Sequence, residues 1–114
     1  SPDESRVYIA DTGKVGKIRA FDVLGDQIAA KPAFEIDLRC DGMCVDTRGN
    51  IYTTSKGGIH VYDADGNKLG LIPTPEHPAN VCFGGKDFDT LYITARTSLY
   101  AVKTLARGAR PPKK

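Results

Sequence analysis

Short apolar runs, broken by glycine, proline and aspartate-rich turns, recur along this chain at a steady interval. Val7-Tyr8-Ile9-Ala10, Ile51-Tyr52-Thr53-Thr54 and Leu91-Tyr92-Ile93-Thr94 each set an aliphatic residue before a tyrosine, and their starts lie 44 and 40 residues apart. A second series follows in phase: Ile18-Arg19-Ala20-Phe21, Ile59-His60-Val61-Tyr62 and Leu99-Tyr100-Ala101-Val102, with starts 41 and 40 residues apart. The runs are rich in β-branched and aromatic residues and are bounded by turn formers such as Asp11-Thr12-Gly13, Arg48-Gly49-Asn50, Gly57-Gly58 and Asp65-Gly66-Asn67, the composition of strands joined by hairpins. No window keeps apolar residues at three- and four-residue spacing for a dozen positions, so helices are not expected. A repeat of about 40 residues carrying four short strands predicts an all-β chain built of β-propeller blades.

The middle unit reads as complete, with strands at 43–46, 51–55, 58–63 and 68–72. The first unit starts at its second strand near Arg6 and continues near 17–23 and 34–38. The last supplies 80–83, 91–95 and 98–103 and then runs into small, basic and proline residues. The expected division is therefore a partial propeller over 1–105, in blade units of about 1–38, 39–77 and 78–105, followed by a basic flexible tail over 106–114. About two and a half blades fall short of the roughly four needed to close a ring. The expectation is a C-terminal part of a longer propeller that associates with its missing blades, with self-association into a ring as the alternative.

Composition narrows the classes. With 40% hydrophobic and 26% charged residues over 114 positions, the chain is globular rather than disordered. No apolar run approaches the roughly 18–20 residues of a membrane span, and no charged-then-apolar leader opens the sequence, so neither a membrane protein nor an intact precursor is expected. The formal charge of +2 misleads, because all 14 acidic residues but only 12 of the 16 basic ones precede Arg107. The body is mildly acidic and lacks the basic, aromatic-interleaved face of a nucleic-acid binder. Cys40, Cys44 and Cys82 are odd in number, lack paired spacing and stand among apolar residues, which reads as buried free thiols. Free thiols point to a reducing cytoplasm, with the periplasm open if a leader has been removed.

Several motifs resemble one family. Val7-Tyr8-Ile9-Ala10-Asp11-Thr12, Asp41-Gly42-Met43-Cys44-Val45-Asp46 followed by Gly49-Asn50-Ile51-Tyr52, and Cys82-Phe83-Gly84-Gly85-Lys86 followed by Leu91-Tyr92-Ile93-Thr94 are similar, in order and spacing, to the C-terminal portion of the gluconolactonase and regucalcin family of six-bladed propellers. The resemblance covers Ser1 to about Val102. It implies a metal-dependent hydrolase of lactones, with a lactone or sugar acid as ligand. It also implies a divalent cation near the central axis, Ca²⁺ first, with Zn²⁺, Mg²⁺ or Mn²⁺ as alternatives. The ion is held by a glutamate, an asparagine and an aspartate from different blades. By the family's aspartate-glycine pair, Asp41 is the implied metal ligand and general base; the glutamate and the asparagine would fall upstream of Ser1.

The residues themselves leave alternatives open. A hard cation takes roughly six to eight oxygen ligands, which inner strands converging on a channel can supply. Asp41 precedes such a strand, and Asn80 holds the corresponding place 39 residues on. The alternative is that each simply begins a strand after a loop by bonding backbone groups in the turn. Asp11 could face the channel, but Asp11-Thr12-Gly13 reads better as a hairpin turn. His77, in the loop before an inner strand, is a candidate substrate contact at the channel mouth, and Arg96 is no stronger than it. His60 reads as a surface or interblade residue. Asp46, Asp63 and Asp65 are expected to cap outer hairpins with solvated carboxylates. A non-catalytic propeller segment for ligand or protein binding is the alternative function, and phosphotriester hydrolysis at the same kind of centre is a third.

Overall fold

The computed structural model of the chain describes residues 1–110, and among them there is no helix. Strands β1 (Arg6–Asp11), β2 (Lys17–Leu24), β3 (Gln27–Ile28) and β4 (Phe34–Ile36) form the first sheet, in which β2 lies between β1 and β4. Strands β5 (Met43–Val45), β6 (Ile51–Ser55), β7 (Gly58–Tyr62) and β8 (Lys68–Pro73) form a four-stranded meander in chain order. Strands β9 (Pro78–Gly84), β10 (Thr90–Ala95) and β11 (Leu99–Lys103) form the third sheet. Every pairing is antiparallel, as short hairpin connections require. The boundaries expected from the repeat fall within one or two residues of these strands, apart from β3, a two-residue curl on the end of β2.

The middle blade is buried from both sides. In β6 all five residues are buried, and strand alternation sends neighbours to opposite faces. Ile51 and its ladder partner Tyr62 pack with Ile18 and Ile36 of the first blade and with Cys40 of the segment entering β5. Tyr52, Ile59 and Val61 face the other way, into Val81, Phe83, Leu91 and Ile93 of the third blade. There the Tyr52 and Phe83 rings meet edge to face, with centroids 5.1 Å apart. Each buried aliphatic side chain contributes about 1.5–3 kcal/mol relative to exposure, so the blades are held by the interfaces between them as much as by their own ladders.

Two turns in the middle blade repeat one device. In Asp46-Thr47-Arg48-Gly49-Asn50, Asp46 Oδ1 accepts the backbone N–H groups of Arg48 and Asn50, each at 2.9 Å, while Asn50 Nδ2 donates to Oδ2 at 2.8 Å. Asp63 does the same for Asp65 and Asn67 in Asp63-Ala64-Asp65-Gly66-Asn67. The glycines stand at φ of +84° and +87°, the left-handed conformation that side chains disfavour. The capping reading of both aspartates holds. Solvation does not hold for Asp46, which is 1% exposed: Tyr52, packed into the blade interface, also donates its hydroxyl to Oδ2 at 3.1 Å and covers the carboxylate.

The first residues of the basic tail expected from 106 make backbone contacts with the blades. Thr47 N–H donates to Arg107 O at 2.8 Å, Gly108 N–H to Phe88 O at 2.8 Å and Ala109 N–H to Val45 O at 3.0 Å, and Gly108 forms a bridge with Asp46. Backbone groups at the ends of the middle and third blades would otherwise lack partners. Gly108 reaches them because it has no side chain, since a Cβ there would overlap Phe83. Residues 111–114 of the expected tail lie outside the described residues.

Candidate functional site

The chain enters β5 through Arg39-Cys40-Asp41-Gly42, and the end of β6 holds this entry in place. Asp41 N–H donates to Thr54 O at 3.1 Å and Thr54 N–H to Gly42 O at 2.9 Å. The Thr54 hydroxyl accepts the Gly42 N–H at 2.9 Å and donates to Ala79 O, in the third blade, at 3.0 Å. Ser55 Oγ donates to Arg39 O at 2.6 Å. Gly42 completes the fit, because a Cβ there would overlap the Asn80 side chain. Two hydroxyls and one glycine thus lock the starts of two inner strands together and fix the backbone that carries Asp41.

Asp41 presents its carboxylate, 55% exposed, to a cleft of about 180 Å³ lined by Arg39, Asp41, Thr54, Ser55, Lys56 and His77. His77 Nε2 stands 3.9 Å from Asp41 Oδ2, which brings together two of the residues singled out in the sequence. Asn80 is adjacent through its contact with Gly42, but its Oδ1 accepts the Val81 N–H at 2.9 Å. Asp11 does not join them. Its Oδ1 accepts the Gly13 N–H at 2.8 Å and its Oδ2 pairs with Arg19 at 3.5 Å, as the turn reading anticipates.

Larger hollows lie elsewhere, including one of about 490 Å³ beside Asp46, Tyr52 and Arg107. The Asp46 carboxylate there is saturated by four donors, whereas the Asp41 carboxylate faces an open cleft, which makes the smaller cleft the candidate site. Among the described residues no group of three or more His, Cys, Asp or Glu side chains converges. One exposed carboxylate suits a hard cation as a single ligand and falls short of the roughly six to eight oxygens such an ion takes.

The thiols flank the site without entering it. Burial, and then the neighbouring Asp41 carboxylate, pushes Cys40 up to about 11, and burial with the nearby Cys82 and Asp46 pushes Cys44 up to about 12. Cys82 departs from the buried-thiol expectation and is exposed, because its place on β9 turns it away from the blade interface that Val81 and Phe83 fill. His60 stays on the outer part of the blade, with Nε2 2.8 Å from Lys56 O.

A profile of the SMP-30/gluconolactonase/LRE-like region matches residues 1–97. The chain belongs to this family. It is 32% identical to the gluconolactonase of Zymomonas mobilis over 95% of this chain and 34% of that protein. It is 38% identical to pentonolactonase XacC of Haloferax volcanii over 81% of this chain and 34% of that protein. A solved structure of XC5397 from Xanthomonas campestris, described as a gluconolactonase, superposes with a TM-score of 0.75 at 28% identity, over 90% of this chain and 35% of that one. The chain spans about a third of the length of the curated relatives it matches. The all-β propeller-blade architecture read from the repeat is the family's fold.

Sequence reasoning missed Arg39, Thr54, Ser55 and Lys56. The available signal was the run Thr53-Thr54-Ser55-Lys56, where small hydroxyl residues replace the aliphatic ones that usually fill a strand buried on both faces.

Proposed function

We propose that this chain supplies the aspartate-bearing part of the active site of a lactone hydrolase, with Asp41 as a metal ligand and the base that takes a proton from attacking water. The observation that carries this reading is the presentation of Asp41. Its backbone is clamped by Thr54 and Gly42 while its carboxylate stands in an open cleft beside His77, in a chain of the gluconolactonase family. Asp41 is the residue here that would hold a divalent cation, Ca²⁺ for preference, completed by oxygens from outside these 114 residues. Such an ion, when bound, polarises the lactone carbonyl. The protein's own part is to align water against the carbonyl carbon, accept its proton on Asp41 and return that proton to the ring oxygen as the C–O bond opens, leaving a hydroxy acid. His77 lines the cleft with Asp41, and Asn80 stands behind Gly42.

The test is lactone hydrolysis by the protein that carries this chain, before and after chelation and with Asp41→Asn. Loss of about 10²- to 10⁴-fold in kcat, the range for a positioned base, is expected with retained secondary structure. Hydrolysis that is indifferent to both treatments would overturn the assignment of Asp41, and no hydrolysis of any lactone would leave a non-catalytic binding propeller.

A further inference from the structure

Three basic side chains, Arg39, Lys56 and His77, line the Asp41 cleft, and His77 alone of them has a carboxylate within 4 Å among the described residues. Arg39 is not a loose surface residue. Its carbonyl accepts from Ser55 Oγ at 2.6 Å and its guanidinium donates to Gly13 O at 2.5 Å. Gly16, at a φ of +60°, leaves room for it, since a Cβ there would stand 3.1 Å from Arg39 Nε. The chain has already paid the entropy of ordering this guanidinium, and one hydrogen bond to Gly13 leaves most of its donors unused. Lys56, on the exposed turn after β6, lines the same cleft.

A neutral sugar lactone offers these two cations only hydroxyl and carbonyl oxygens, which accept hydrogen bonds but leave the positive charge without a counter-charge. A lactone carrying a second, anionic group would be repelled by Asp41 unless cations stood at the same mouth. We infer that Arg39 and Lys56 form an anion-recognition pair, and that the preferred substrates are sugar lactones bearing an additional carboxylate or phosphate. This rests on the lactonase reading above.

The experiment compares kcat/KM of the protein that carries this chain for glucono-1,5-lactone, 6-phosphoglucono-1,5-lactone and a glucarolactone, in wild type, Arg39→Gln and Lys56→Gln. The expected result is a preference for one or both anionic lactones that falls about tenfold in each variant, the worth of one charge-assisted hydrogen bond. The phosphate and carboxylate arms identify the group. Lys56 is exposed, so Lys56→Gln remains informative if Arg39→Gln loosens the turn at Gly13. A neutral-to-anionic ratio unchanged by both substitutions overturns the inference while leaving the lactonase reading intact. If no lactone is hydrolysed, calorimetric binding of 6-phosphogluconate and glucarate decides. Binding weakened about tenfold by Lys56→Gln supports the pair, and no binding, or equal binding, refutes it.

Discussion

Thr54 makes the backbone around Asp41 rigid with a single oxygen, accepting from Gly42 N–H and donating to Ala79 O while fully buried. Thr54→Val keeps the volume and removes both bonds, leaving the Gly42 N–H and the Ala79 carbonyl without these partners. Destabilisation of about 1–3 kcal/mol is expected, measured as a lower urea midpoint at unchanged m-value. The thiols give a pH prediction. Burial pushes Cys40 and Cys44 up to about 11 and about 12 in the folded chain, above the ordinary thiol value of 9.0, and burial with the Asp46 carboxylate also raises Tyr52. A group whose folded value is raised adds stability that is fully present below the unfolded value and is lost as pH climbs through the folded one. Stability should therefore fall from about pH 9 towards 12, and Cys44→Ser should flatten that fall in urea titrations.

At the scale of elements, the two Asp-x-x-Gly-Asn turns set the hairpins of the middle blade and also meet its neighbour. A Cβ on Gly66 would stand 2.6 Å from Phe34 Cδ2, in the first blade, and Phe34 is already stacked against the Arg6 guanidinium with 5.4 Å between them. Gly66→Ala combines a left-handed backbone with a crowded aromatic, so it should cost more than the ~1 kcal/mol of the conformation alone. Gly25 serves as the control. It has a φ of +66° but nothing within 4 Å of an added Cβ, so Gly25→Ala should show the conformational cost by itself in the same denaturation series.

For the molecule as a whole, stability lies in the interfaces on either side of the middle blade, and the segment from Ala106 to Arg110 closes one of them. Truncation after Leu105 removes the partners of Thr47 N–H, Val45 O and Phe88 O and uncovers Phe83. A loss of about 1–3 kcal/mol is expected, with hydrogen exchange accelerated at Thr47 before the core of β6 opens. The sequence by itself determined the strands and their grouping into blades, because a two-residue alternation broken by glycine turns and repeated every 40-odd residues has few other solutions. The repeat placed Asp41 and Asn80 before inner strands, and the resemblance to the family's aspartate-glycine pair singled out Asp41 between them. Tertiary structure alone decided which carboxylates are open and which are spent. Asp46 and Asp41 both border β5, yet one is covered by Tyr52 and its own turn while the other faces a cleft made by Arg39, Thr54, Ser55, Lys56 and His77. The docking of Gly108 belongs to the same category. These contacts join residues distant in sequence through backbone groups and hydroxyls, which leave no periodic mark on the chain and gain meaning only once the blades are packed.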